Sequence, residues 1–161
     1  MKDIKYRAWD KKSKKMRYVN CIVFDGKGSF ESNTQSIKLV NLWGYDIIEG
    51  KNIIVQREPK DVDLLQYTGL KDKNGTGIYD QYILKRTVTV VVFGSGHPPE
   101  DVIEYLKVEY REDYAGFYIG EDPLDNFVGA RYDVATGCDC TDVEVIGNAF
   151  QHSHLLEGVT S

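Results

Sequence analysis

The chain has 161 residues, of which 42% are hydrophobic, and its formal net charge is −5. This is long enough for one domain with a real core, and 11 Tyr and 6 Phe against 2 Met favour strands over helices. The composition argues against membrane spans, since no apolar run approaches about 18 residues, and three Cys argue against a secreted disulfide framework.

The charge is unevenly distributed along the chain. Residues 1–20 hold eight Lys or Arg against two Asp, giving +6, and residues 96–161 hold three against fourteen carboxylates, giving −11. Opposite charges at the two ends can neutralise each other within the fold or between subunits. They are compatible with a head-to-tail or ring-like assembly.

The first twenty residues predict a β-hairpin, because apolar positions alternate on both sides of the charged loop at residues 10–15. Cations also alternate with aromatic rings here, as on surfaces that bind single-stranded nucleic acid. The candidate partner-binding residues are Arg7, Trp9, Lys11, Lys12, Lys14, Lys15 and Arg17. The same alternation equally predicts rings that face the core and lysines that line a solvated turn, so both interpretations stay open.

The next forty residues predict short strands and turns. Apolar runs at residues 22–24, 37–43 and 53–55 indicate strands, and residues 25–28 indicate a turn. Residues 58–63 predict one helical turn, with a proline in its first turn.

The segment at residues 66–80 predicts a β-hairpin most clearly. Asn74-Gly75 favours a type I′ turn, which needs positive φ at both central residues. Gly69 and Gly77 indicate bulges or a close approach of the backbone. The glycine spacing is not that of a phosphate-binding loop, so the segment predicts architecture rather than chemistry.

The rest of the chain alternates between apolar strands and polar breaks. Residues 83–93 predict a buried β-branched strand, which we expect a subunit or a loop to cover. Residues 94–99 are a clear break and a candidate sub-boundary. Residues 100–106 predict a short helix, residues 105–119 a hairpin, and residues 143–146 the last strand.

These elements together predict a mainly β protein with one or two short helices. The expected core is a small SH3-like or irregular, partly closed barrel, closed by the strand at 142–146. Its hairpins lie at residues 4–20, 64–84 and 105–119. An α+β fold is the alternative, if residues 58–66 and 99–106 form longer helices.

Two groups of residues have the chemistry of metal ligands. Cys138, Cys140, His152 and His154 are the ligand types of a tetrahedral zinc site, but structural sites usually have Cys-x-x-Cys on a tight turn. The same residues fit equally well a loop that contains two cysteines without a metal-binding role, followed by a polar C-terminal tail. The acidic C-terminal half offers carboxylates to Mg²⁺ or Ca²⁺, but without EF-hand spacing. No nucleophile has a catalytic context, so we expect neither a catalytic site nor a cofactor.

Three blocks of the sequence resemble one family. They are residues 5–16, residues 66–75 followed by Ile78-Tyr79, and residues 142–148 followed by Leu155-Leu156. These blocks resemble, in order, the opening, central and closing segments of the YopX family of phage and prophage proteins. The central signature consists of Tyr67, Gly69, Leu70, Asp72, Asn74, Gly75 and Tyr79. The resemblance implies a single YopX-like domain over residues 1–161.

The sequence departs from the family pattern after Tyr79. The family usually has an acidic residue and then Gly-Asp, whereas this chain has Asp80 and then Gln81-Tyr82. Whatever the Gly-Asp pair does in relatives, a tight turn or an acidic contact, is therefore not inherited here.

The family has no established biochemical function, so the resemblance implies origin and fold. It implies a protein of the bacterial cytoplasm during phage carriage or infection. The resemblance also implies a homo-oligomer, with which the opposite charges of the two ends are compatible. We expect a non-enzymatic binding module whose partner is a phage or host protein, with no membrane contact. The alternatives are a nucleic-acid-binding module that uses the basic N-terminal hairpin and a metal-dependent enzyme that uses the acidic C-terminal half.

Overall fold

The computed structural model describes residues 5–25, 36–91, 94, 96–133 and 136–157. It divides into two compact units, Met1–Gln66 and Tyr67–Ser161, and the boundary falls inside a strand. The single domain and the sub-boundary at residues 94–99 stay predictions, and Ser95 lies outside the described residues.

The prediction of a mainly β fold is confirmed. Helical structure in the described ranges is limited to three 3-10 turns, at Pro59–Asp61, Leu124–Asn126 and Ser153–Leu155. The first of them is the helical turn predicted at residues 58–63. The antiparallel sheets formed by the described residues are not closed into a barrel. No helix in these ranges is long and apolar enough to cross a lipid bilayer.

The first unit is an antiparallel sheet in the strand order β4-β3-β2-β1-β5. The strands are β1 (Tyr6–Asp10), β2 (Lys15–Phe24), β3 (Ile37–Asp46), β4 (Lys51–Arg57) and the first half of β5 (Val62–Lys71). One face packs as a core around Ala8, Val40, Leu42 and Val62. Because side chains alternate between faces, the intervening residues of each strand lie on the other face. The predicted hairpin at 4–20 is present as β1 and β2, with Ile4 outside the described residues.

The strands predicted between residues 22 and 55 are also present, as parts of β2, β3 and β4. The turn predicted at residues 25–28 lies outside the described residues except for Asp25.

The second unit contains the remaining half of β5 and seven further strands. These are β6 (Gly77–Tyr79), β7 (Tyr82–Val90), β8 (Glu100–Lys107), β9 (Glu109–Arg111), β10 (Gly116–Ile119), β11 (Asp122–Pro123) and β12 (Glu144–Asn148). β6 pairs with β5, and the others form two sheets, β12-β7-β8 and β11-β10-β9. The core is built around Ile78, Leu84, Val108, Leu124 and Val143.

The helix predicted at residues 100–106 is wrong, because this segment is strand β8. β8 pairs with β7 over eight residue pairs, from Ile83–Lys107 to Val90–Glu100. The apolar spacing fits a helix or a strand, but β-branched Val102 and Ile103 suit a strand, and pairing satisfies the backbone of β7.

The longer helices of the α+β alternative are also wrong. Residues 99–106 include strand β8, and β5 begins at Val62 within residues 58–66. The predicted hairpin at 105–119 exists from Glu109 onward, as β9 and β10.

The buried strand predicted at residues 83–93 is β7, and its last two residues lie outside the described part. It is covered by strands of the same chain, since β8 and β12 flank it on both sides. β12 is the strand predicted near residues 142–146. It pairs with β7 in an open sheet rather than closing a barrel.

The turn of the 66–80 hairpin differs from the type I′ prediction. Gly75 has a φ of 81°, but Asn74 does not have positive φ. The N–H of Gly75 bonds to the carbonyl of Asp72, and the N–H of Asp72 bonds to the carbonyl of Thr76. This is a three-residue loop in which a left-handed glycine follows a right-handed turn, the commonest three-residue hairpin connection.

A left-handed residue also occupies the position at which the YopX pattern has glycine. Gln81 has a φ of 61° in the tight turn between β6 and β7. Its N–H donates to the carbonyl of Val108 at 2.8 Å, and its carbonyl accepts from the N–H of Ala149 at 2.9 Å. These bonds fix the backbone in a conformation that costs a side-chain-bearing residue about 1–2 kcal/mol.

We therefore expect opposite effects from two substitutions of Gln81. Gln81→Gly relieves the strain and should raise the free energy of unfolding by about 0.5 kcal/mol, after the extra entropy of glycine in the unfolded chain. Gln81→Val adds β-branching in the left-handed region and should lower it by about 1–2 kcal/mol. Urea unfolding followed by circular dichroism measures both. A Gly variant less stable than the Val variant would contradict this interpretation of the turn.

Candidate docking face

Asp10 is fully buried at the end of β1 and organises the basic part of the first unit. Arg57 donates to both carboxylate oxygens, at 2.9 and 3.0 Å, and Arg17 donates to Oδ2 at 3.1 Å. The Ser13 hydroxyl donates at 2.7 Å, and the N–H of Lys12 donates at 3.1 Å. Burial alone would raise the pKa of Asp10, but the hydrogen bonds from Arg57 and Ser13 and the charge of Arg57 hold that pKa well below its ordinary value.

Carboxylates also pair with lysines of the N-terminal hairpin. Lys11 Nζ lies 2.7 Å from Asp63 Oδ1, and Lys12 Nζ lies 2.6 Å from Asp61 Oδ2. The hydrogen bond from Lys12 lowers the pKa of Asp61. Four acidic and basic groups of this region are therefore matched in pairs, which reduces the positive charge that the hairpin presents.

The predicted partner-binding residues consequently divide into different roles. Trp9 is only 8% exposed, and Arg17 is engaged by Asp10. Lys14 lies in the turn with a φ of 54°, and Lys15 begins β2 at an exposed position. Only Arg7 of this set lies on an exposed aromatic surface. Partner binding by this set therefore stays a prediction.

One exposed apolar surface of the first unit consists of Tyr18, Trp43, Tyr45 and Ile54, and we call it the aromatic face. Trp43 is paired with Ile54 across β3 and β4, and Arg7 with Tyr18 across β1 and β2. The β2–β3 register brings these two pairs into one row across four strands. Tyr45, two residues after Trp43, extends the same face. The exposed fractions are 61% for Tyr18, 47% for Trp43, 60% for Tyr45 and 46% for Ile54.

The aromatic face has the composition of a protein interface core. The Arg7 guanidinium lies 4.0 Å from the centre of the Tyr18 ring and supplies the charge of the row. Beside the row, Gln56 donates to Asn41, which donates to Cys21 Sγ at 3.1 Å. Interface cores are enriched in Tyr, Trp and Arg and depleted in Lys, Glu and Asp.

The aromatic face ends at an apolar hairpin tip, residues 47–50, which connects β3 to β4. Ile47 is 83% exposed and Ile48 is 97% exposed. The tip is nonetheless ordered by hydrogen bonds, because Asp46 Oδ1 accepts from the N–H groups of Ile48 and Glu49 at 2.9 and 3.1 Å. Gly50 completes the turn with a φ of 63°. Hydrogen bonds thus fix the backbone of the tip while two isoleucine side chains are exposed to water. This arrangement favours a binding role over a chance placement of apolar residues in a loop.

The central signature hairpin has a structural role that begins with Asp72. This carboxylate is 6% exposed. Its Oδ1 accepts from the N–H groups of Asn74 and Thr76 at 2.9 and 2.8 Å, and its Oδ2 accepts from the N–H of Val145 in β12 at 2.9 Å. One side chain therefore shapes the turn and attaches it to the last strand.

The other signature residues support the same hairpin. Gly69 has a φ of 92° where the β5–β6 register shifts between Tyr67 and Lys71. The Tyr67 and Tyr79 rings pack at 5.3 Å, and Leu70 packs against the core of the second unit. The signature thus encodes a fold feature.

The four zinc candidates occupy two separate contexts. Cys140 forms a bridge with Val88, and burial raises the pKa of its thiol, which disfavours the thiolate that zinc requires. His152 Nδ1 accepts from the N–H of Asn148 at 3.3 Å, and its ring lies 6.3 Å from that of His154. Cys138 lies beside Thr136. Within the described ranges, no group of three or more His, Cys, Asp or Glu is arranged to hold a metal ion.

The second unit contains a buried ion cluster that sequence patterns did not indicate. Arg86 in β7 is 5% exposed and donates to Glu104 of β8 at 2.7 Å and to Asp133. Its guanidinium also lies 4.8 Å from the Phe127 ring. Burial opposes the charge of Asp133, but hydrogen bonds from Thr136 and Arg86 lower the pKa of this carboxyl. The cluster joins β7, β8 and the loop before β12.

These lowered pKa values predict acid sensitivity. Asp10 and Asp133 both have folded-state pKa values below the reference of 3.8. Their stabilisation is therefore fully present above about pH 5 and is lost as the pH falls below about 4. Urea unfolding at about pH 6 and pH 3 should show a marked loss for the wild type and a smaller loss for Asp10→Asn. Equal losses would contradict the role given to Asp10.

Comparison with known proteins agrees with this architecture. The sequence model of the family described as YopX protein matches residues 5–157. The chain belongs to the YopX family. The crystal structure of protein EF1440 from Enterococcus faecalis is similar to this YopX-family chain, with a TM-score of 0.56 and 23% identity, over 97% of this chain and 99% of that chain. That likeness concerns the fold alone. A search of curated proteins found no match.

Sequence interpretation of this YopX-family chain missed the aromatic face and the hairpin tip. Trp43 was assigned to a strand but not to a surface, because which face of an isolated strand is buried depends on its neighbours. The signal that was available is Ile47-Ile48 between Asp46 and Glu49-Gly50. Two adjacent apolar residues inside a polar turn are unexpected unless they serve binding.

Proposed function

We propose that this protein is a phage- or prophage-encoded accessory protein that acts in the bacterial cytoplasm as a non-enzymatic, oligomeric binding module. A protein partner, from the phage or the host, docks on the aromatic face. The observation that carries the proposal is the row of Tyr18, Trp43 and Ile54 across adjacent strands, each about half exposed or more. Exposed apolar patches of this kind mark interaction sites.

The chemistry of the face favours protein over nucleic acid. Nucleic-acid affinity comes largely from cations that contact phosphates. Here Lys11 and Lys12 are paired with Asp63 and Asp61, and Arg17 is bound to Asp10. The face itself is aromatic and aliphatic, with Arg7 stacked on a ring. Such a surface gains most of its binding energy from apolar burial.

A binding role is also supported by the ion pairs that engage the buried ionisable groups. Asp10 is held by two guanidinium groups, and Arg86 is held by Glu104 and Asp133. Groups saturated by fixed partners stabilise a fold, and they offer no free acid or base to a substrate. The thiols of Cys21, Cys138 and Cys140 are free, which suits a reducing compartment.

The test is capture of the partner followed by reconstitution. Tagged wild-type protein and a Trp43→Ala, Tyr45→Ala double variant are used as bait in lysate of phage-infected host. A protein retained by the wild type is then purified, and its affinity for the wild type and for the double variant is measured by calorimetry. Loss of two central aromatic side chains should weaken binding at least about 100-fold.

The matched control is Tyr132→Ala, which removes an aromatic side chain that is 64% exposed in the second unit. It should bind the partner like the wild type. A double variant that is folded by circular dichroism and binds with unchanged affinity would contradict docking on this face. A shift of single-stranded DNA or RNA that depends on Trp43 would instead favour the nucleic-acid-binding alternative.

A further inference from the structure

The apolar hairpin tip at residues 47–50 has few charges to desolvate. Ile47 and Ile48 project beyond the sheet, and the neighbouring Glu49 and Lys51 form an ion pair with each other. The carboxylate of Asp46 accepts hydrogen bonds from two backbone N–H groups of the turn. The tip is therefore a preorganised apolar projection whose neighbouring charges are paired or hydrogen-bonded, and this order lowers the entropic cost of inserting it into a partner.

The first unit also contains an apolar pocket of a size that could receive the side chains of the tip. The cavity has a volume of about 270 Å³ and is lined by Ile37, Val40, Pro59, Val62, Asp63 and Leu64. This is slightly below the roughly 300 Å³ at which small-molecule sites begin. Asp63, the charged residue of the lining, is already paired with Lys11. The pocket is suited to one or two aliphatic side chains.

The tip and the pocket lie at opposite ends of β3. Ile37 is the first residue of this ten-residue strand, and the tip directly follows its last residue. A strand of this length spans roughly 30 Å, so the tip cannot enter the pocket of its own chain. A second copy can supply the missing side chains, because every copy carries both the projection and the pocket.

We propose that copies of this chain associate head to tail, with Ile47 and Ile48 of one copy seated in the pocket of the next. This deepens the oligomeric part of the proposed function and rests on it. The two contacting surfaces differ, so the interface is heterologous and generates a ring or an open filament rather than a two-fold dimer. The aromatic face lies on the same sheet, so assembly presents many copies of it and raises avidity for the partner.

The two halves of this interface can be removed separately. Ile48→Asp places a charge on the tip at a position that is 97% exposed, so folding should be unaffected. Ile37→Trp fills the pocket from its lining, and Pro59→Arg, at an exposed position, blocks its mouth without changing the core. Tyr132→Asp is the control for adding a charge at an exposed ring elsewhere.

Light scattering coupled to size exclusion measures the result. We expect the wild type and Tyr132→Asp to run as multiples of the 18.3 kDa chain. Ile48→Asp and either pocket variant should each associate at least about 30-fold more weakly and run as monomers. An equimolar mixture of Ile48→Asp and Pro59→Arg should form a dimer and nothing larger, because exactly one intact tip and one intact pocket remain between them.

Each other outcome overturns the proposal. A monomeric wild type would exclude the assembly. An Ile48→Asp protein that stays oligomeric would exclude the tip as part of the interface. A mixture that remains monomeric would exclude a heterologous contact, and a Pro59→Arg protein that still dimerises would favour a contact of tip against tip. None of these results affects docking on the aromatic face, which is measured separately through Trp43, so failure of one proposal is distinguishable from failure of the other.

Discussion

Replacing Asp10 with alanine should lower the free energy of unfolding of the first unit by about 3–5 kcal/mol. The substitution leaves the guanidinium groups of Arg17 and Arg57 without a counter-charge, and their side chains are only 16% and 19% exposed. Removing one partner of a buried ion pair has costs of this size because the remaining charge is poorly solvated. Trp9 and Trp43 both lie in this unit, so tryptophan emission during urea unfolding measures the change.

The matched control is Asp63→Ala. Asp63 is also a carboxylate paired with a cation of the same hairpin, but its side chain is 41% exposed and that of Lys11 is 40% exposed. An exposed ion pair contributes about 0–1 kcal/mol. Similar losses for the two variants would show that burial of Asp10 is not what makes it important.

Replacing Asp72 with alanine should destabilise the second unit by about 3 kcal/mol. Three backbone N–H groups, those of Asn74, Thr76 and Val145, lose their acceptor in a largely buried place. Each unsatisfied donor costs about 1–3 kcal/mol, reduced where water enters the exposed side of the turn. Urea unfolding followed by circular dichroism measures the loss. Hydrogen exchange should show reduced protection of the Val145 amide.

Asp72→Asn separates the two functions of this side chain. The amide keeps one oxygen for the turn but loses the acceptor that faces the N–H of Val145. We expect about half of the alanine effect, with loss of protection confined to β12. A change of less than about 1 kcal/mol in the alanine variant would contradict the role of Asp72 in joining the hairpin to β12.

Local patterns predicted the hairpins because turn chemistry and period-two alternation lie within a few residues of each other. The β1–β2 and β5–β6 hairpins are of this kind. The helix predicted at residues 100–106 is wrong because the apolar residues of this segment fit a helical stripe as well as a strand. The choice depends on β7, which is distant in sequence and whose backbone β8 satisfies. Tertiary pairing overrode the local preference.

Site residues were harder to predict than strands, since exposure depends on which face of a sheet is covered. Trp9 and Trp43 both lie within β-strands, yet one is 8% exposed and the other 47%. Charge was misleading for a related reason. Three cations of the first hairpin, Lys11, Lys12 and Arg17, are paired with carboxylates. Two of these carboxylates, Asp61 and Asp63, come from β5 and the turn before it.

The most direct test of docking on the aromatic face is acrylamide quenching of Trp43. A Trp9→Phe variant leaves Trp43 as its sole tryptophan. If the partner covers this face, the quenching constant of Trp43 should fall several-fold when the purified partner is added, and it should stay high with an unrelated protein. A complex that forms while Trp43 remains as accessible as before would place the binding surface elsewhere and contradict the proposed function.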